Sequence, residues 1–478
     1  MTDSKDIELE KVSENIYEIP QTEEMNVPAR VYSSEPLLEK MKGDDTLNQV
    51  KNMAELPGIE KYSIVMPDGH QGYGFPIGGV AAFDNETGII SPGGIGYDIN
   101  CGVRVLKTDL KREDIDGDEQ RIANILYSKV PVGLGKGGYI DTSEEDVVEI
   151  LEKGSEWMLE NGHAKESDLE RCEENGRLPG NPEKVPDEAI KRGLKQVGSL
   201  GSGNHFMEVQ VVSDIFEEEK AESYGLEEDQ IVVMIHSGSR GLGHQTCTNY
   251  LRKFEKEYPE IVESIPEKEL IYAPIADKLA EDYRDAMYGA ANYAWANRQA
   301  ITQGVRECFN TLFDDVEIEL VYDVCHNIAK EEVHEVDGEE KELLVHRKGA
   351  TRAMPAGRPE VPDVYSEVGQ PVLIPGSMGT SSYILSGGDK SSELSFGSTA
   401  HGAGRLKSRT QAKKDYWGED VQAELEREGI LVKADSGSTI AEEAPGVYKD
   451  VDEVIQVSDK LEIGQKVARM RPLVNIKG

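Results

Sequence analysis

Ten glycines fall within the 34 residues from Gly69 to Gly102, about three times the density of the whole chain, which has 48 in 478. Glycine loses more backbone freedom on folding than any other residue, so such a concentration is costly to order. It is tolerated where the backbone must take positive φ or come close to a ligand. The stretch MPDGHQGYGFPIGGVAAFDNETGIISPGGIGYDINCGVR (66–104) therefore constrains the fold more than any other segment. It also carries His70, Asp98 and Cys101, and the Asp-x-x-Cys pair offers two side chains that bind metal.

The rest of the chain is read by periodicity. NIYEIP predicts a short strand, and a helix follows around Leu37–Met53. YSIVMP leads into the glycine block as a strand. Helical stretches are expected near Glu144–Leu159 and Asp187–Gln196, with a polar surface excursion near 160–190 between them. HFMEVQVV (205–212) and QIVVMIH (230–236) predict strands. Apolar residues at helical spacing from Ala276 to Leu312 predict a long amphipathic helix, and VEIELVYDVCH (316–326) alternates as a strand. After Arg347 the chain is rich in Gly, Ser and Pro, with short β runs such as PVLIP. Strands and helices without regular βαβ alternation predict an α+β fold, one large mixed domain over residues 1–478 with β-sheets at the core and flanking helices.

Charge narrows the function. Ninety-one acidic against 52 basic residues give −39, and the acid is spread along the chain. It fits either an acidic partner-binding surface or, preferred here, adaptation to a salty interior where self-repulsion is screened. It argues against non-specific nucleic-acid binding without excluding a local basic groove. The five cysteines (101, 172, 247, 308, 325) are odd in number, widely spaced and lack a CxxC, which indicates a reducing compartment. The acidic N-terminus reads as no signal peptide, and no run is long enough to cross a bilayer, so a cytoplasmic protein without membrane contact is expected.

Several histidines stand at strand ends beside Gly, Ser or Asn: GSGNHF (His205), IHSGSRGLGH (His236, His244), YDVCHN (His326) and GSTAHGAGR (His401). Singly each reads as a hydrogen-bonded structural residue. With Asp98 and Cys101 they form a thiolate, carboxylate and imidazole set suited to Mn²⁺ or Zn²⁺. Alternation along the strand turns Cys325 away from His326 and into a structural role. PGSMGTSSYIL (375–385) and HGAGRLKSR (401–409) are small-residue loops able to present N–H groups to phosphate, though neither is a Walker loop. Arg240, Lys348, Arg352, Arg358, Arg405, Lys407 and Arg409 are expected near phosphate, since cations are scarce in this chain. A neutral His401 imidazole can attack phosphorus and form a phosphoramidate.

In chain order, DGHQGYGFPIGG, SPGGIGYDINCGVR, GSGNHF, HSGSRGLGH, CHNIA, PGSMGTSSY and STAHGAGR closely resemble the RtcB-type RNA ligases, the tRNA-splicing ligases of archaea and many other organisms. The resemblance runs from about Met66 to the terminal PLVNIKG. It implies an enzyme that uses GTP and two Mn²⁺ ions to join RNA 2′,3′-cyclic phosphate or 3′-phosphate ends to 5′-hydroxyl ends. It implies His401 as the histidine that becomes covalently guanylated. It implies Asp98, Cys101 and His205 around one ion and Cys101, His236 and His326 around the other, with Cys101 shared. Nucleotide contacts carried over by motif are Asn204, Glu208, Ser377, Ser382, His401, Gly402, Ala403, Gly404, Arg405, Tyr448 and Lys477. RNA such as tRNA halves and the small activating protein archease are the implied partners. A metal-dependent phosphoesterase with no covalent nucleotide is the main alternative, and a non-catalytic RNA-binding protein the second.

Overall fold

The computed structural model describes Ser4, residues 7–133, Gly135 and residues 137–478. Two large sheets carry the fold. One runs Ile318–Cys325, Gly102–Lys111, Gln230–Ser237, Phe206–Ile215, Gly464–Lys477, Ser382–Gly387, Pro371–Ile374, antiparallel throughout, with Leu431–Ala434 added parallel to the long 464–477 strand. The other runs Glu10–Ser13, Ile16–Ile19, Ala29–Tyr32, Ser63–Tyr73, Phe75–Asp84, Glu339–Lys348, Asn327–Val336. Strands such as Gln230–Ser237 are buried along their whole length, which explains their unbroken apolar sequence. The expected α+β fold, with sheets at the core and helices around them, is what the chain adopts.

The chain passes from one sheet to the other at a single residue, His326, between the strands Ile318–Cys325 and Asn327–Val336. The site described below lies at this seam.

The long helix, Lys278–Leu312, is not amphipathic as its spacing predicted. Every residue from Ala286 to Thr302 is enclosed, polar ones included. Alanine and glycine at 289–291, 294, 296 and 300 let other elements approach from all sides. The buried polar groups act as clamps on loops. Asn292 Nδ2 donates to the carbonyls of Leu151 and Leu178, each at 2.9 Å. Asn297 Oδ1 accepts from the N–H groups of Gly198 (2.8 Å) and Ser199 (3.1 Å).

Other boundaries shift for local reasons. The helix predicted around Leu37–Met53 is two, Glu35–Met41 and Thr46–Met53, parted by a turn in which Asp44 accepts from the Thr46 N–H at 2.9 Å. Glu144–Leu159 is likewise divided into Glu144–Lys153 and Ser155–Glu160 at Gly154, whose φ of 57° no helix interior accepts. The polar segment near 160–190 is anchored rather than free: Asp168 pairs with Arg306 at 2.6 Å, Glu173 with Lys330 at 2.8 Å, and Cys172 is buried. A small lobe spanning about 405–447 has its own core of Ala412, Val421, Leu425, Ile430, Val432, Ile440, Ala444 and Val447, with Met378 packed in from outside it.

Candidate metal centre and adjoining cavity

The glycine-rich block turns sharply before the strand Gly102–Lys111. Asn100 takes a left-handed φ of 54°, and the Cys101 N–H donates back to the Asp98 carbonyl at 3.0 Å. Arg298 of the long helix holds this turn. It donates to the carbonyls of Asn100 (2.8 Å) and Ser237 (3.0 Å) and pairs with Asp323 at 2.7 Å. Gly238 is required for room, since a Cβ there would lie 2.4 Å from an Asp98 carboxylate oxygen.

Around this turn the metal-type donors converge. Cys101 Sγ lies 3.3 Å from His205 Nε2 and 3.2 Å from His236 Nε2. His236 Nε2 lies 3.3 Å from His326 Nε2, and His205 Nε2 lies 2.8 Å from Asp98 Oδ2. Cys101, His205 and His236 alone place one donor each within 4.8 Å of one another. His236 and His326 point the same nitrogen at each other. Burial, followed by neighbouring imidazoles, pushes both far below the usual imidazole pKa, so they face one another as neutral rings. Burial opposes the Asp98 charge, yet His205 and Arg240 hold its carboxyl below the ordinary range. Burial and then Asp98 push the Cys101 thiol well up. A cation among these atoms would reverse that last shift and take a lone pair from each donor. The donor set therefore fits a divalent ion.

His401 follows the short strand Ser398–Ala400 and its ring centroid is 5.0 Å from that of His326. Asp68 holds it. One Asp68 oxygen accepts from His401 Nδ1 at 2.5 Å, from the His401 N–H at 2.9 Å and from the Gly402 N–H at 3.2 Å. Burial works against the Asp68 charge, but His401 outweighs it and keeps the carboxyl below the usual range. Asp68 reaches inward because the strand Ser63–Tyr73 slips register between Val65 and His70, a bulge that re-aims the side chain. Lys449 fixes the bulge by donating to the Pro67 carbonyl at 3.5 Å and to that of Gly69. With Nδ1 committed, Nε2 is the His401 atom left to react.

Both groups open on one cavity of about 260 Å³, lined among others by Asp98, Cys101, Asn204, Glu208, His236, His326, Ser377, Tyr448, Lys477 and the segment His401–Arg405. His205 lies at an adjoining cavity with Arg240 and Arg409. Two buried carboxylates mark the far end. Glu208 accepts from Gln210 Nε2 at 2.6 Å and from Asn475, and burial, opposed by Lys477, raises its pKa to about 8. Glu443 gathers Arg405 at 2.9 Å, Lys477 at 3.5 Å and the Tyr448 hydroxyl.

Ser382 does not reach the cavity. Its hydroxyl lies behind the wall, accepting from the Gly376 N–H and Gln210 Nε2 at 3.1 Å each, so it shapes the 375–380 loop. Four of the seven expected phosphate cations stand in other contacts, Lys407 with Asp415 at 2.7 Å among them. Arg352 pairs with Glu174 at 2.6 Å, Arg358 with Glu360 at 2.6 Å, and buried Lys348 donates to the carbonyls of Tyr73 and Gly93 at 2.5 and 2.9 Å. Arg240, Arg405 and Arg409 are the members of that group that line a cavity beside the donors. Sequence reasoning missed Asp68, Glu443, Arg298 and Lys449. Only Asp68 had a signal, an acid inside a glycine-rich motif able to serve a nucleophilic histidine.

A thiol, carboxylate and imidazole centre at the seam of two sheets, beside a histidine braced by a carboxylate, defines a class of metal-binding group-transfer proteins. Comparison narrows the class to one family. A family model described as tRNA-splicing ligase RtcB matches residues 49–478. Proteins named tRNA-splicing ligase RtcB match over 99, 98 and 99% of this chain, at 52% identity in Thermococcus kodakarensis, 49% in Methanococcus maripaludis and 48% in Nanoarchaeum equitans. The matches cover 99, 99 and 100% of those proteins. The chain belongs to the RtcB family.

Proposed function

We propose that this RNA ligase, as the names of its relatives suggest for tRNA splicing, seals RNA 2′,3′-cyclic phosphate or 3′-phosphate ends to 5′-hydroxyl ends through GMP carried on His401. The observation that carries the reading is the geometry of His401: Nδ1 on Asp68, Nε2 free, and the ring 5.0 Å from that of His326.

His401 Nε2 would attack the α-phosphorus of GTP, forming N–P as the bond to the β-phosphate oxygen breaks and pyrophosphate leaves. Asp68 would take up the positive charge that develops on the ring. GMP would pass to an oxygen of the RNA 3′-phosphate, breaking N–P and returning neutral His401. The 5′-hydroxyl would then displace GMP and complete the phosphodiester. A cyclic phosphate must be opened by water first. Asp98, Cys101, His205, His236 and His326 would hold Mn²⁺, which when bound would neutralise charge building on the transferred phosphoryl oxygens. Glu208, Lys477, Asn204, Ser377 and Tyr448 would orient the nucleotide, with Glu443 fixing Lys477 and Arg405. The reading treats residues 1–478 as one catalytic unit working in the cytoplasm, with archease as an activating partner.

Incubation with Mn²⁺ and α-labelled GTP tests it. Label should enter the wild-type protein and be absent from His401→Ala. An unlabelled wild type that still hydrolyses RNA phosphate ends would establish a phosphoesterase instead.

A further inference from the structure

The run from Arg405 to Trp417, RLKSRTQAKKDYW, holds five cations and one anion in a chain whose net charge is −39. It begins in the cavity wall, since Arg405 and Arg409 line the cavity with His401, and Arg409 also lines the adjoining one with His205 and Arg240. It continues outward as the helix Arg409–Asp415, on which Arg409, Thr410, Gln411, Lys413, Lys414 and Asp415 are exposed; Lys413 pairs with Glu442 and Lys407 with Asp415 at 2.7 Å, half-exposed pairs that an RNA phosphate can displace. It ends at Trp417, whose surface is 67% exposed, while the other two tryptophans, Trp157 and Trp295, are buried at 5 and 0%. Tyr416 is half-buried beneath Lys407, whose ammonium lies 5.1 Å from the ring centre. Beyond Trp417 the charge turns negative again with Glu419 and Asp420.

An exposed indole at the end of a row of cations that starts in a cavity is the recognition chemistry of single-stranded nucleic acid, an aromatic face for a base beside charges for the backbone. At about 1.5 Å per helical residue, the helix carries the strip on the order of 9 Å from Arg409 to Asp415, with Trp417 two extended residues further on. That reach suits a base some way along a strand whose end lies in the cavity.

We infer that the helix Arg409–Asp415 and Trp417 form a docking strip for single-stranded RNA next to the reacting end, with Lys413 and Lys414 on its phosphates and one base stacked on the Trp417 indole. The inference rests on the ligase reading for the identity of the strand. It gives so acidic a protein a local row of cations along which RNA phosphates can exchange with carboxylate partners.

The test is fluorescence anisotropy of the full chain with a labelled single-stranded oligoribonucleotide ending in a 3′-phosphate, alongside GTP labelling of His401. Trp417→Ala should weaken RNA binding roughly 5- to 150-fold, while Trp417→Phe, which keeps a stacking face, should retain most of it. A Lys413→Gln/Lys414→Gln double variant should lower the slope of log affinity against log salt by roughly 1.4, about 0.7 per phosphate contact. RNA should also shield the wild-type indole fluorescence from acrylamide. Wild-type RNA affinity in Trp417→Ala, with no shielding, overturns the strip whether the occupant is then a protein or nothing. Failure of GTP labelling in the wild type overturns the ligase reading instead, and the two results are separable.

Discussion

Replacing Asp68 by asparagine keeps the side-chain shape and removes the charge beside the proposed nucleophile. One oxygen of Asp68 accepts three hydrogen bonds, from His401 Nδ1 at 2.5 Å and from the N–H groups of His401 and Gly402 at 2.9 and 3.2 Å. The two backbone bonds survive in the amide. What is lost is the charge-assisted bond to a ring that becomes positive as Nε2 bonds phosphorus. Bonds to charged groups contribute about 1.5–3 kcal/mol, and each 1.36 kcal/mol is tenfold in rate, so guanylation should slow about 10- to 150-fold. Because one oxygen accepts all three bonds, an amide whose NH₂ faced Nδ1 would also confront both backbone N–H groups, so the carbonyl oxygen keeps that place. The assay mixes enzyme, Mn²⁺ and saturating α-labelled GTP, stops in alkaline denaturant and follows label on protein with time. The variant's melting temperature checks that the bulge, tied by Lys449, is intact. A folded Asp68→Asn protein labelled within twofold of the wild-type rate would refute the role assigned to Asp68.

Three further outcomes follow from the same geometry. Co²⁺ added to the wild type should produce thiolate-to-metal charge-transfer absorption and, at about 100 times its Kd, stabilise the fold by about 2.7 kcal/mol; Cys101→Ser should lose the band, and its persistence would remove Cys101 from the centre. Glu208 has a folded pKa of about 8 against an ordinary 4.5, so it favours the fold while protonated and that contribution fades as pH rises from about 4.5 through 8. The melting temperature of Glu208→Gln should therefore gain on the wild type across that window, and parallel curves would contradict a buried neutral Glu208. With 91 acidic and 52 basic residues, the melting temperature should climb with KCl into the molar range; a flat profile would count against salt adaptation.

The residues of metal-donor type stand out in the chain because each sits in a short motif beside a strand that its apolar run or its alternation announces. Asp98 and Cys101 stand in a glycine-rich turn, His236 ends QIVVMIH and His326 ends VEIELVYDVCH. Arg298 could not be read this way. It lies mid-helix among apolar and small residues, where spacing suggests a solvent-facing cation, and its partners Asn100, Ser237 and Asp323 are remote in sequence. The amphipathic reading of that helix failed for the same cause, since its polar residues are satisfied by loops rather than by water. Arg352 and Arg358 misled because scarcity of cations says nothing about which carboxylate a fold brings beside each one.

Local chemistry in the sequence marked which side chains are of metal-donor type and which loops are rich in small residues, because donor type and backbone freedom belong to single residues and short turns; the choice of His401 as nucleophile came from the resemblance of its motif to the RtcB family. Tertiary structure alone decided that Asp68 braces His401, that Ser382 stands behind the wall, and that His326 sits where the two sheets meet. Those facts depend on the register of strands far apart in the chain, where one bulge changes the direction of a side chain and nothing in its neighbours records it.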